Sequence, residues 1–113
     1  MNKITFVGSG NLATHLARAL SHKGFVITQV FSQTKKSGKI LANELKATFS
    51  TDLKNIKDTD LIIVSINDDA ITNLIHELPN LPIVHTSGST GIDIFEHKFD
   101  NYGVLYPVQT FNK

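Results

Sequence analysis

A chain of 113 residues is one domain by length, able to bury roughly two-thirds of the surface its unfolded form exposes. It contains no cysteine, which excludes disulfides, thiolate metal sites and a cysteine nucleophile and leads us to expect a reducing, cytoplasmic setting. The net charge of +1 hides an asymmetry: residues 1–43 carry six basic side chains and no acid, whereas the remaining 70 carry five basic and ten acidic ones.

An excess of positive charge at one end marks an anionic ligand there. One arginine in the whole chain is poor equipment for reading bases, so a phosphorylated small molecule is expected and nucleic acid is not. No apolar run approaches the ~18 residues of a membrane span, and the N-terminus lacks the basic, apolar and small-residue regions of a signal peptide, so no membrane association is expected.

The first elements lie in ITFVGSGNLATHLARAL, from Ile4 to Leu20. Ile4–Val7 reads as a buried strand, and Ala13, Leu16, Ala17 and Leu20 recur on one face of a helix over Leu12–Ser21. Between them Gly8, Ser9, Gly10, Asn11, Leu12 and Ala13 form G-x-G-x-x-A. The first glycine permits a tight turn, the second leaves room for a pyrophosphate against the backbone, and the small third residue lets helix and strand pack closely. A tight strand-to-helix turn without ligand has the same local pattern. The strand before the motif and the amphipathic helix after it supply the context in which it binds phosphate.

A second strand is expected over Phe25–Phe31, ending in FSQTKK. NAD-binding domains place a carboxylate at this strand end to hold the adenosine ribose. Here there is none. Ser32, Gln33 and Thr34 offer hydrogen bonds, and Lys35 and Lys36 offer positive charge to a 2′-phosphate that a carboxylate would repel, so NADP is expected over NAD. By itself TKKSGK also reads as the solvated, basic start of a helix; the glycine turn about 20 residues upstream favours the phosphate site. A helix over Lys39–Lys46, a strand over Thr48–Ser50 and a weaker helix near Asp52–Ile56 follow.

The run LIIVSI, Leu61–Ile66, has no polar alternation, as suits a central parallel strand covered on both faces. At its end Ser65, Ile66 and Asn67 are expected beside a nicotinamide ribose, contacting it through backbone, while Asp68 or Asp69 caps a helix over Ala70–Leu78. The fifth strand, Ile83–Thr86, leads into HTSGSTG. There His85 and Ser87 read as hydrogen-bond donors or a proton relay on the substrate side; equally, the loop caps a short helix near Ile92–His97 and neighbouring hydroxyls satisfy His85. The spacing of a nucleophile elbow is absent, as is a Walker-type loop. His15, His22, His76 and His97 show no metal-ligand spacing, and no metal is expected. A last strand is expected over Val104–Tyr106, with Tyr106, Gln109 and Thr110 emerging on the ligand side.

Strands alternating with helices imply parallel strands joined by right-handed crossovers. The expected fold is α/β, a doubly wound, mostly parallel sheet in three layers, the Rossmann NAD(P)-binding fold, in order 3-2-1-4-5-6 with ligands at the carboxyl ends of the strands.

VGSGNLATHLA, VFSQT, DLIIVSINDDAI, HTSGSTG and YPVQTF together span almost the whole chain. The combination resembles the N-terminal half of the NADP oxidoreductases built from a Rossmann-like domain and a helical C-terminal dimerisation domain. These are relatives of pyrroline-5-carboxylate reductases, 6-phosphogluconate and β-hydroxyacid dehydrogenases and deazaflavin-dependent NADP reductases. The resemblance implies NADP on Gly8, Gly10, Ala13 and the SQT segment, and a substrate loop in HTSGSTG. It makes residues 1–113 the dinucleotide-binding domain, with the helical domain absent, and implies a homodimer formed mainly through that missing domain. The function expected is hydride transfer between nicotinamide and a small C=O or C=N substrate; the alternative is a non-catalytic NADP(H) sensor.

Overall fold

The computed structural model describes residues 2–66, 74–86 and 99–104. In chain order these form β1 (Lys3–Val7), α1 (Asn11–His22), β2 (Val26–Phe31), α2 (Lys35–Leu45), β3 (Thr48–Ser50), a 3-10 turn (Leu53–Asn55), β4 (Leu61–Val64), a second 3-10 turn (Ile75–Glu77), β5 (Ile83–His85) and β6 (Tyr102–Val104). The six strands make one sheet in the order β3-β2-β1-β4-β5-β6, and every pairing is parallel. The doubly wound order expected from the sequence is the order observed.

Because successive side chains of a strand face opposite ways, β1 feeds two cores. Ile4 and Phe6 join Val30, Ile63, Leu41 and the α1 residues Ala13, Leu16 and Ala17 on one face. Val7 joins Phe31, Ile62, Val64 and Ile83 on the other, covered by Leu53, Ile56, Leu74, Leu78 and Phe99. Ala13 and Ala17 are fully buried, and their small side chains bring α1 close to the sheet. The two helices on that face are tied outside the core by Arg18 on α1, whose guanidinium donates to both carboxylate oxygens of Glu44 on α2.

Several boundaries differ from the sequence expectation. The second helix begins at Lys35, not Lys39, so the polar stretch KKSGK is helical and Gly38 is buried within it. The last strand starts two residues earlier and is described over Tyr102–Val104, with residues 105 and 106 of the expected strand outside the described residues, and the central strand ends at Val64, leaving Ser65 and Ile66 beyond it. The helix expected over Ala70–Leu78 is described only from Leu74, where a 3-10 turn follows.

Candidate functional site

The carboxyl ends of the strands are knitted together by hydrogen bonds that continue the ladders past the strands. Gly8 N–H donates to the Phe31 carbonyl at 2.7 Å, Ser65 N–H to Val7 at 2.8 Å, and Thr86 N–H to Val64 at 3.1 Å. A cleft of about 680 Å³ opens above this row, within the size range of small-molecule sites.

One wall of the cleft is the turn from β1 to α1, Gly8 to Ala13. Its two glycines have different reasons for being there. Gly8 has φ +122°, and a Cβ on it would collide with the Ser65 carbonyl, so the fold itself demands glycine. Gly10 has φ −73°, and a Cβ built on it meets no atom within 4 Å. Nothing in the described protein needs glycine at that position; the space it leaves belongs to the cleft. Gly10 is also the N-cap of α1, where no side chain caps the helix and no acid occupies the first turn. The first amides of α1 therefore remain available to an anion.

The second wall is the corner from β2 to α2, where Ser32, Gln33, Thr34 and Ser37 line the cleft. Ser9 Oγ lies 2.6 Å from Ser32 Oγ and 2.8 Å from Ser37 Oγ, so three hydroxyls join the glycine turn to this corner. Ser32 Oγ also accepts from Thr34 N–H at 3.1 Å, which shapes the approach to the helix. Like α1, α2 starts without a side-chain cap and without an acid in its first turn. Lys35 and Lys36 are exposed and stand in that turn, but neither lines the cleft.

The floor and the far side come from Ser65, Ile66 and Thr86, then from Thr51, Asp52, Leu53, Leu74 and Glu77. Thr86 Oγ1 donates to Ser65 Oγ at 3.1 Å in a buried pair. His85 is fully buried in β5 and does not line the cleft; Thr86, which follows β5, does. Asn67, Ser87, Ser89 and Thr90, with Tyr106, Gln109 and Thr110, lie outside the described residues. So do Asp68, Asp69 and His97. Among the described residues no group of three metal-ligating side chains comes together, and no helix is long and apolar enough to cross a membrane.

Of the sequence-derived cofactor residues, Gly8, Ser9, Gly10, Asn11, Leu12, Ala13, Ser32, Gln33, Thr34, Ser65 and Ile66 gather around this one cleft; Lys35 follows Thr34 in the chain but does not line it. Ser37, Thr51, Asp52, Leu53, Leu74 and Glu77 were not anticipated. For Thr51 and Asp52 the signal was present: they follow a strand whose carboxyl end must open on the same side as the others.

Comparison with known proteins agrees with this architecture. A sequence model of the family described as NADP oxidoreductase, coenzyme F420-dependent, matches residues 3–94. A crystal structure from Bacteroides fragilis, described as an NADP oxidoreductase, superposes with a TM-score of 0.87 at 39% identity, over 93% of this chain and 43% of that one. An imine reductase from Myxococcus stipitatus, solved with NADP+, gives 0.71 at 21% identity, over 92% of this chain and 41% of the other. A prephenate dehydrogenase from A. aeolicus gives 0.77 at 15% identity, over 100% and 44% of the two chains. The last two likenesses speak for the fold. No curated protein sequence matches. The chain thus spans less than half the length of these solved relatives. With 92 consecutive residues matched to its sequence model, the chain belongs to the F420-dependent NADP oxidoreductase family.

Proposed function

We propose that this chain is the NADP(H)-binding domain of an oxidoreductase that moves hydride between nicotinamide and a small C=O or C=N substrate. The observation that carries the reading is the open space at Gly10, on the uncapped end of α1 and facing the cleft. A pyrophosphate there receives the free amides of the first helical turn, and a side chain at Gly10 would take its place.

The preference for the 2′-phosphate rests on the corner between β2 and α2. Ser32, Gln33 and Thr34 carry no negative charge, α2 offers a second uncapped and acid-free N-terminus, and Lys35 and Lys36 add a positive field. Ser65 and Thr86, paired across the ends of β4 and β5, hold polar groups toward the nicotinamide half.

A bound nicotinamide supplies the hydride chemistry, and the residues of this chain orient it. The family description also names coenzyme F420. A deazaflavin therefore belongs beside imines, β-hydroxyacids and keto acids in the panel of hydride partners, tested with the full-length protein. A homodimer completed by a helical domain is part of the same proposal.

Calorimetric titration of the 113-residue chain with NADP(H) and NAD(H) tests the central claim. Tighter binding of NADP(H) is expected. Equal or tighter binding of NAD(H) overturns the 2′-phosphate assignment, and no binding of either overturns the whole reading.

A further inference from the structure

The cleft meets an anionic ligand with an unexpected set of charges. Among the described residues, the only ionisable ones that line it are Asp52 and Glu77, and no lysine or arginine does. Carboxylates beside a phosphate repel it, so an acid in this cleft must face a hydrogen-bond donor of the ligand.

Strand order says which donor Asp52 meets. The turn after β1 takes the pyrophosphate in the reading above, the end of β4 lies on the nicotinamide side, and the end of β2 takes the adenosine ribose. β3 is the edge strand beyond β2. Asp52 follows it, at the adenine end of the row. The edge of adenine carries one strong donor, its exocyclic 6-amino group.

The Asp52 carboxylate is held in place before any ligand arrives. Its N–H donates to Ser50 Oγ at 3.1 Å, and its Oδ1 accepts from Lys54 N–H at 3.0 Å. Ser50 Oγ also accepts from the Asn55 amide at 3.3 Å, and the Asn55 carbonyl accepts from Gln29 at 3.0 Å. One carboxylate oxygen is thus committed to the backbone, and Oδ2 is left to accept. Leu53, the next residue, is half-buried, lines the cleft and packs on the core cluster containing Leu74, which lines it too. These two side chains supply apolar surface for the flat face of a base.

We propose that Asp52 reads the adenine base of the dinucleotide by accepting a hydrogen bond from its 6-amino group. The assignment rests on the dinucleotide reading above and adds a base-specific contact to it.

The test compares NADP+ with its 6-deamino analogue, nicotinamide purine dinucleotide phosphate, in which hydrogen replaces the amine and every phosphate is kept. The ratio of the two affinities is therefore blind to phosphate recognition. The wild-type chain is expected to bind NADP+ at least about tenfold more tightly, the usual scale for losing a hydrogen bond to a charged group. In Asp52→Asn the amide oxygen still accepts from Lys54 N–H, while its NH2 replaces the free acceptor with a donor. The preference is then expected to vanish or invert. Equal wild-type affinities overturn the proposal, as does an Asp52→Asn chain that keeps the wild-type ratio. Absence of binding by either dinucleotide overturns the dinucleotide reading along with it, whereas tight binding with a ratio near one removes the adenine contact alone. The wild-type comparison decides even if the variant does not fold.

Discussion

The hydroxyls of Ser9 and Ser32 lie 2.6 Å apart, although 23 residues separate them in the chain. Ser9 sits inside the glycine turn and Ser32 at the end of β2, so this contact, with the 2.8 Å contact from Ser9 to Ser37, fixes the pyrophosphate wall against the ribose wall. Ser9 is buried, and Ser9→Ala removes both bonds without a way for water to replace them freely. We expect a stability loss of about 1–3 kcal/mol by denaturant unfolding and a several-fold weaker affinity for NADP(H). Unchanged stability and affinity together would show that the hydroxyl cluster joins nothing that matters.

The two glycines of the turn should respond in opposite ways. Gly8→Ala forces a side chain into a positive-φ conformation against the Ser65 backbone, and should cost about 2 kcal/mol or more. Gly10→Val enters open space at an ordinary φ, so its melting midpoint should stay near that of the wild type, with a change of about 1 kcal/mol or less. Its dinucleotide affinity should nevertheless collapse. Circular dichroism, melting and calorimetry on both variants check the contrast. A Gly10→Val chain that cannot fold would make this glycine structural and remove the main support for a ligand.

The sheet was legible because its signals are local. Continuous apolar runs such as LIIV and the i, i+3, i+4 spacing of Ala13, Leu16 and Ala17 fix element type without tertiary information. The start of α2 was legible only as the alternative reading of TKKSGK, because the stretch is polar and contains a glycine that helices disfavour; in the fold it is helical, with Gly38 buried. The glycine turn could be read as one contiguous motif. The opposite wall could not, since Ser37, the pair Asp52 and Leu53, and Leu74 come from three places in the chain that only the folded sheet brings together. The search for an acid at the end of β2 was correct in finding none, yet an acid reaches the same cleft from the end of β3. Charge counting along the chain located the basic half but not where its side chains stand. Lys35 and Lys36 stand exposed in the first turn of α2 and do not line the cleft.

The ion pair between Arg18 and Glu44 should give stability a small dependence on acid pH. Hydrogen bonding from Arg18 holds the Glu44 carboxyl below its ordinary value of 4.5, and the same pair raises the arginine. A depressed carboxylate favours the folded chain above the unfolded value, and that contribution disappears as the pH falls through the folded value. Both side chains are exposed, so the effect is small. Glu44→Gln should lower the melting temperature at pH 7 by about 4 °C or less, and the difference should close below the depressed value and shrink in 1 M salt. A gap that persists at low pH would assign the loss to packing instead.

Gln33→Asp tests where the ligand's 2′-substituent lies. Gln33 is exposed and lines the cleft between Ser32 and Thr34, so the substitution should leave the fold and its melting temperature unchanged. It places a carboxylate at the strand end where NAD-binding domains carry one to hold the ribose hydroxyls. Toward NADP that charge meets the 2′-phosphate and should weaken binding about tenfold or more; toward NAD it supplies an acceptor, and affinity should hold or rise. The loss for NADP should diminish as salt is added, because screening acts on the repulsion, while the NAD affinity responds less. Parallel titrations of wild type and variant with both dinucleotides at two salt concentrations give all four comparisons. An NADP affinity that does not change would place the 2′-phosphate away from the corner between β2 and α2. The uncapped start of α2, with Lys35 and Lys36 in its first turn, would then need a different explanation.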